Sequence, residues 1–350
     1  MLFVMGGLMK NSHCSADMSK LTAKKVTGVA LITVLLIVAL AAVLATQMTA
    51  RLQLQMQRTN NVTLNQQAYW YAMGAEAFAK RILINVFEDE KDVTHLEQIW
   101  AQGETSYPVD FGQITGEIFD MQACFNLNAL RPDDNAIPAG TRRRPIEEAF
   151  QKLIMSLNVE GVSQFDAEYM TDALVDWLDQ NSAIASAGGA EDNDYSAKEF
   201  PYLPANYYLA SITELRLIEH FTVPVINKLK EYACVIPNNN LHKININTIR
   251  SDQPELLEAF LGIPLADAEN ALASREGAGF KTRDEFFNLP DISKNTKITN
   301  DQKEQFDVVS HYFKLKSIAS FNDSYFALST LMKVESNNNI SVVSRTIGRE

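Results

Sequence analysis

The sequence predicts an α+β fold in which a long N-terminal helix packs on an antiparallel sheet and a large all-helical insertion interrupts the sheet domain. Three observations lead to this class. No Pro or Gly occurs from Val29 to Met73, so a helix can continue through that stretch. Apolar and polar residues alternate with the period of a strand before residue 125 and again after residue 306. The roughly 180 residues between these regions show helical patterns.

Composition limits the classes of function. The chain has 350 residues, 46% of them hydrophobic, which is enough to bury a core. Its net charge of -12 repels phosphate backbones and argues against a general nucleic-acid binder. Three cysteines are too few for a disulfide scaffold. No phosphate-binding loop or nucleophile motif occurs, so an enzyme is not expected.

The N-terminal part of the helix has the composition of a membrane span. Residues 29–50 carry no charge, and the 18 residues from Val29 to Thr46 are apolar apart from two threonines. The preceding arm has four lysines and one aspartate, a net charge of +3, and should stay cytoplasmic. The rest of the chain then carries -12 minus 3, or -15. We expect a single-pass inner-membrane protein of a Gram-negative cell with most of its chain in the periplasm.

The helical pattern continues beyond the apolar run. Residues 29–73 alone would form a helix about 68 Å long, roughly twice the thickness of a bilayer core. The apolar half would lie in lipid, and an amphipathic half would project from it. A plain membrane anchor is the alternative.

The start of this helix resembles a type IV prepilin leader. Lys24-Lys25-Val26-Thr27-Gly28-Val29 precedes a long apolar helix, and the resemblance implies that prepilin peptidase cuts between Gly28 and Val29 and that the new terminus is methylated. Most such proteins have Glu at mature position 5, where this chain has Thr33. That difference, with GVALITVLLIVALAAVLATQMT and QQAYWYAMGAEAFA, resembles the K-type minor pseudopilins of type II secretion systems.

The resemblance implies a structural role at the tip of a pseudopilus, in assembly for protein secretion across the outer membrane. It also implies contact with I-type and J-type minor pseudopilins and with the major pseudopilin filament. We expect the partner-binding surface on the helix between Arg51 and Ala79, although the same positions suit packing on the protein's own sheet. The predicted partner-binding residues are Leu52, Met56, Ala68, Tyr71, Ala72 and Ala75.

The predicted domain boundaries follow from these patterns. They are a leader (1–28), a transmembrane segment (29–50), a pilin-like α/β domain (51–125 with 306–350) and an inserted α-domain (126–305), which divides into subdomains 126–232 and 233–305.

The inserted α-domain contains an internal repeat. Residues 125–131 (FNLNALR) and 244–250 (ININTIR) share an apolar-Asn-apolar-Asn-x-apolar-Arg pattern, and helical segments follow each. Asn128 and Thr248 are predicted to cap those helices. We therefore infer two related subdomains of the SAM or helix-hairpin-helix type.

The second subdomain resembles the helix-hairpin-helix module of DNA-binding proteins. The alternative function is therefore a membrane-anchored DNA receptor of a competence system. In this chain the hairpin is Gly262-Ile263-Pro264, and Pro264 has no N–H to donate to a phosphate. Glu258 and Asp267 nearby add repulsion. No nucleic-acid partner is expected.

An acidic loop in the first subdomain is the candidate metal site. Asp172, Asp176 and Asp179 lead into Gly188-Gly189, which permits tight backbone curvature, and more acids follow. Several carboxylates without His or Cys favour Ca²⁺ over Zn²⁺, whereas a solvated acidic loop is the alternative. The resemblance also implies calcium. The predicted ligands are Asp179, Glu191, Asp192 and Asp194, with Asn206 and Glu214 as weaker candidates.

Two cysteines, Cys124 and Cys234, each stand close to one of the Asn-x-Asn repeats. In an oxidising periplasm they would form a disulfide if their geometry allows it. Two buried free thiols are the alternative.

Overall fold

The computed structural model describes residues 27–110, 112–132, 143–321 and 324–348. Most of the predicted leader lies outside these residues. The chain divides into two compact units, Met1–Asn61 and Val62–Glu350.

Helix α1 covers Thr27–Asp89, which confirms the long N-terminal helix. From residue 28 to residue 61 its side chains are exposed. Within the described residues, α1 is the helix that is long and apolar enough to cross a membrane, and its most apolar 18-residue window has a mean hydropathy of 2.9. Nothing in the first unit covers this apolar surface of α1. Its length and composition fit a lipid environment.

The second unit contains the predicted antiparallel sheet. Its order is β1-β2-β7-β8-β9, and each neighbouring pair is antiparallel. Two further short pairs are parallel, β3 with β4 and β5 with β6. The strands are β1 Thr105–Val109, β2 Gly112–Asp120, β3 Phe125–Asn126, β4 Ala233–Cys234, β5 Ile244–Asn245, β6 Phe306–Asp307, β7 Tyr312–Phe321, β8 Ser324–Val334 and β9 Ile340–Ile347.

The C-terminal part of α1 packs on this sheet. Leu83 of α1 and Phe313 and Met332 of the sheet are fully buried in one apolar cluster. Glu76 of α1 is also buried, at 2% exposure, and it accepts hydrogen bonds from Arg345 Nε (2.6 Å) and Thr330 Oγ1 (3.0 Å). Burial alone would raise the pKa of Glu76, but these donors and Lys80 lower it to about 2. An ionised carboxylate therefore ties the helix to β8 and β9.

The insertion between β2 and β7 is largely helical, as predicted. It contains a 3-10 turn at Leu127–Leu130 and another at Ile212–Arg216. Its helices are α2 Pro145–Ser156, α3 Gln164–Leu178, α4 Asp192–Ser196, α5 Val223–Leu229, α6 Glu255–Leu261, α7 Leu265–Ala273, α8 Arg283–Phe287, α9 Pro290–Ser293 and α10 Asn300–Glu304.

The two repeats of the insertion use their second asparagine in the same way. Asn128 Oδ1 accepts from the Leu209 N–H (2.8 Å) and its Nδ2 donates to the Leu209 carbonyl (2.9 Å). Asn247 makes the same two bonds with Phe280, at 2.8 and 2.9 Å. Each asparagine thus holds the N–H and the carbonyl of one distant residue, which supports the inferred relationship between the two halves.

The predicted helix caps were wrong. Asn126, not Asn128, caps the first turn by accepting from the Asn128 N–H. Thr248 Oγ1 instead donates to the buried Asp120 carboxylate (2.5 Å). Asparagine and threonine side chains can hydrogen-bond to several kinds of polar group besides the N–H groups at a helix start. Here the fold brings other backbone and side-chain groups within reach, and these take the place of the predicted caps.

Cys124 and Cys234 form a disulfide with a Cα–Cα distance of 5.8 Å. The bond lies beside the β3–β4 pair, because Cys124 precedes β3 and Cys234 ends β4. Together the disulfide and the parallel pair close the chain around the first half of the insertion.

Candidate metal site

Three buried carboxylates meet in the first half of the insertion. Asp176, Asp179 and Glu191 each offer one carboxylate oxygen, and these oxygens lie within 4.8 Å of one another. Their exposures are 0%, 5% and 3%. Like charges this close repel strongly in a buried site unless a cation or protons offset them.

Helix α3 and the loop after it place these groups. Asp176 and Asp179 are three residues apart on one face of α3, with Asp179 at its C-terminal cap. Asp172, one turn earlier, pairs with Arg143 and accepts from the Gly188 N–H (3.2 Å), so it draws the loop back against the helix. Glu191 is the N-terminal cap residue of α4.

The glycine pair lets the loop after α3 approach that helix closely. A Cβ at Gly189 would lie 2.0 Å from Asp176 Oδ2, and one at Gly188 would lie 2.5 Å from the Tyr169 Cα atom. Neither glycine has a positive φ. The loop does turn here, since the Gly189 N–H donates to the Ser186 carbonyl (3.0 Å). Space is the further requirement, because a side chain at Gly189 would occupy the space beside the Asp176 carboxylate.

Three oxygens of the cluster lack a hydrogen-bond donor among the residues that the structure describes: Asp176 Oδ2 and both carboxylate oxygens of Glu191. Asn206 Oδ1, in the segment after α4, is also buried without such a donor. Asp179 is better served, because it accepts from the N–H (3.0 Å) and side-chain amide (2.8 Å) of Asn181. Buried oxygens without donors are unfavourable, and a bound cation removes that penalty.

The electrostatics of the cluster point the same way. Burial, with a smaller contribution from the neighbouring carboxylates, raises the pKa of Asp176 to about 7 and that of Glu191 to about 8. Burial also raises the pKa of Asp179, although hydrogen bonds from Asn181 and the charge of Arg131 oppose it. The donor set consists of hard oxygen atoms, which suits Ca²⁺.

The structure changes the predicted ligand set. Asp179 and Glu191 lie in the cluster, and Asp176, which was not among the predicted ligands, joins them. The signal for Asp176 was its three-residue spacing from Asp179 on a helix. Asn206 has a left-handed backbone (φ 47°), and its side-chain oxygen is buried without a donor.

Three of the predicted ligands lie outside the cluster. Asp194 is exposed, and its Oδ2 accepts from the Glu191 N–H (3.0 Å). Glu214 Oε1 accepts from the N–H groups of Ala210 (2.8 Å) and Ser211. Asp192 is half-buried at the start of α4. Asp194 and Glu214 therefore accept hydrogen bonds from backbone N–H groups at the starts of helical turns, whereas the Glu191 side chain is buried in the cluster.

Comparison with known proteins assigns the family. Two family models, both described as "Type II secretion system (T2SS), protein K", match residues 123–238 and 244–308. A type II secretion system protein K from Aeromonas hydrophila is 35% identical over 326 residues, covering 92% of this chain and 97% of the relative. The chain belongs to the type II secretion system protein K family. It is a minor pseudopilin of the K type, as the sequence predicted.

Further relatives agree with membership of the protein K family. The protein K of Klebsiella pneumoniae is 36% identical, covering 76% of this chain and 80% of the relative. A solved structure of the GspK–GspI–GspJ complex from enterotoxigenic Escherichia coli superposes with a TM-score of 0.74 at 31% identity. That match covers 84% of this chain and 100% of the other. The predicted α+β class with a helical insertion is confirmed.

The predicted partner-binding residues of this protein K divide into two groups. Leu52 and Met56 are 58% and 65% exposed. Ala68 and Ala72 are fully buried, and Tyr71 stacks on Phe321 of the sheet with ring centres 4.8 Å apart. Ala68 and Ala72 are therefore buried within the chain itself, which fits the alternative of packing within the subunit, whereas Tyr71 is half-buried against the sheet. A partner contact at Tyr71 stays a prediction.

The remaining predicted positions lie on α1. Ala75 is half-buried beside an apolar groove of about 410 Å³ between α1 and the β1–β2 hairpin. Gly28 and Val29, the predicted processing site, are exposed at the start of α1. Cleavage between them stays a prediction.

Proposed function

We propose that this chain acts at the tip of the type II secretion pseudopilus, with α1 anchored in the inner membrane and the rest of the chain in the periplasm. The observation that carries the proposal is the helical insertion between β2 and β7. Pilin-like subunits pack their apolar helices side by side, which leaves each subunit a limited lateral space. An insertion of about 180 residues would collide with subunits above it, so a position with nothing above fits it.

The start of α1 supports the same position. Thr33 stands where most pilin-like proteins have a buried glutamate, and its hydroxyl donates to the Ala30 carbonyl within the helix (2.9 Å). A tip subunit has no earlier subunit whose terminal amine such a glutamate would neutralise. Prepilin peptidase would release this helix by cutting between Gly28 and Val29, which the mass of the mature N-terminus tests.

The partners in this proposal are the I-type and J-type minor pseudopilins, with the major pseudopilin filament below. Their support is the solved complex, in which a relative that is 31% identical to this chain is assembled with GspI and GspJ. The chain's role is structural rather than catalytic. A DNA-receptor role is not proposed, because the matched relatives are secretion proteins and Pro264, which directly precedes α7, has no backbone N–H to donate.

Leu52 and Met56 are the residues through which we test this assembly. They are four residues apart, so they lie on one face of α1, and both are exposed. Leu52→Glu and Met56→Glu should abolish co-purification with the I-type and J-type proteins, because a carboxylate would have to be buried in an apolar helix contact.

Gln53→Glu is the matched control, since it adds the same charge one residue along the exposed helix. It should leave the complex intact. Equal complex yields from all three variants would exclude this face as the contact surface.

We further propose that the acidic cluster binds Ca²⁺ as a structural ion. Asp176, Asp179 and Glu191 would supply carboxylate oxygens, and Asn206 a side-chain carbonyl oxygen. The support is the set of buried oxygens without donors and the absence of His and Cys from the described cluster. The ion would offset the repulsion that folding creates and fix the loop between α3 and α4.

A further inference from the structure

Arg131 ends the first copy of the internal repeat and is 5% exposed. Its Nη1 donates to the Leu178 carbonyl. The guanidinium carbon lies 4.6 Å from the ring centre of Tyr208 and 5.5 Å from that of Tyr207. A single buried cation therefore contacts two segments that are about thirty residues apart in the sequence.

These two segments flank the proposed calcium ligands. Leu178 directly precedes Asp179, and Tyr207 directly follows Asn206. Asn128 strengthens the second contact, because it holds both peptide groups of Leu209. The turn that carries Asn128 and Arg131 thus contacts both the end of α3 and the segment after Asn206, and it holds these two segments next to each other.

The second copy of the repeat shows that this arrangement is not a requirement of the fold. Asn247 keeps the peptide clamp of Asn128. Arg250, at the position equivalent to Arg131, has a side chain that is 64% exposed and pairs with the exposed Asp252. The asparagine is used alike in both copies, whereas the arginine is buried in the copy that carries the acidic cluster.

We propose that Arg131 is a positioning residue for the calcium site, and this proposal rests on the calcium binding proposed above. It sets the distance between Asp179 and Asn206 before the ion arrives, so that the ligands need less rearrangement on binding. A planar guanidinium can donate in its plane while its faces stack on tyrosine rings. Lysine keeps the charge but has no such plane, so charge alone does not fill this role.

Calorimetric calcium titration of the detergent-solubilised full chain tests the proposal. Arg131→Met and Arg131→Lys should each weaken the Kd for calcium by about 10- to 100-fold, the range seen when groups that orient metal ligands are lost. Arg250→Met is the matched control and should leave the Kd within about twofold of the parent value. Near-ultraviolet circular dichroism of the calcium-free chains reports whether each variant keeps the parent's aromatic packing.

A second background separates positioning from general destabilisation. If Arg131 acts through Asn206, Arg131→Lys should weaken the Kd much less in an Asn206→Ala chain than in the parent, because the two changes then share one effect. Full additivity would overturn the proposal, as would an unchanged Kd in a folded Arg131→Met chain. Absence of calcium binding by the parent itself would instead overturn the calcium site on which the role depends.

Discussion

Replacing Asp176 by asparagine gives the sharpest test of the acidic cluster. One oxygen of each carboxylate lies within 4.8 Å of the others. At an effective dielectric constant of about 20, each ionised pair then repels by at least about 3.5 kcal/mol, or about 10 kcal/mol for all three pairs. Asp176→Asn removes two of these pairs and nearly preserves the shape of the side chain.

Two opposite effects on thermal stability follow from this substitution. Protonation limits the repulsion in the calcium-free chain, so we expect the variant to gain about 2 kcal/mol there, or roughly 4–8 °C in Tm. In the parent, calcium at a hundredfold excess over its Kd should add about 2.7 kcal/mol, because it binds the folded state. The variant should lose most of this calcium-dependent gain.

Thermal melting of the full chain in detergent, with calcium, magnesium or chelator, measures both effects. Magnesium should stabilise the parent much less, because it requires octahedral geometry and loses its water reluctantly. Asp192→Asn is the matched control: Asp192 was a sequence-predicted ligand but lies outside the cluster, so this variant should keep the calcium shift. Equal Tm values with calcium and chelator in the parent would refute the reasoning and favour a loop without an ion.

Two further predictions concern the scaffold. Glu76→Gln should destabilise the chain at pH 7 by about 3 kcal/mol, since the folded pKa of Glu76 is about 2 against an ordinary 4.5. That contribution is present above pH 4.5 and fades as pH falls through 2, so urea midpoints of parent and variant should converge in acid and diverge at neutral pH. Removing the disulfide with Cys124→Ser and Cys234→Ser, whose cysteines are 110 residues apart, should cost about 2–5 kcal/mol by freeing a long loop in the unfolded chain. Urea midpoints of the double variant, and of the parent with reductant for comparison, measure this loss. A midpoint that neither the substitutions nor the reductant changes would contradict it.

The parts of the fold that the sequence predicted are those set by local patterns. A stretch without Pro or Gly gave the helix, and period-2 alternation gave the strands of the sheet, because both signals depend on neighbouring residues. The surface of α1 was harder to assign. Ala68 and Ala72 recur at helical spacing whether the chain's own sheet or another subunit buries them, so periodicity cannot distinguish the two.

The metal ligands show a different limit. Glu191, Asp192 and Asp194 follow closely in sequence, and composition alone gives no reason to rank them. In the structure the Asp194 carboxylate accepts from the Glu191 N–H at the start of α4. This bond engages Asp194 at the surface. It also fixes the backbone of Glu191, whose side chain is buried in the cluster.

The same local geometry explains why Asp176 belongs to the site. A helix places residues three apart on one face, so a ligand at Asp179 brings Asp176 towards the same cluster. Gly189 then leaves room for the Asp176 carboxylate, because a Cβ there would lie 2.0 Å from its Oδ2 atom. An acid pair three apart on a helix, followed by a glycine in the loop that closes over it, is therefore more informative about this site than the number of acids in the loop.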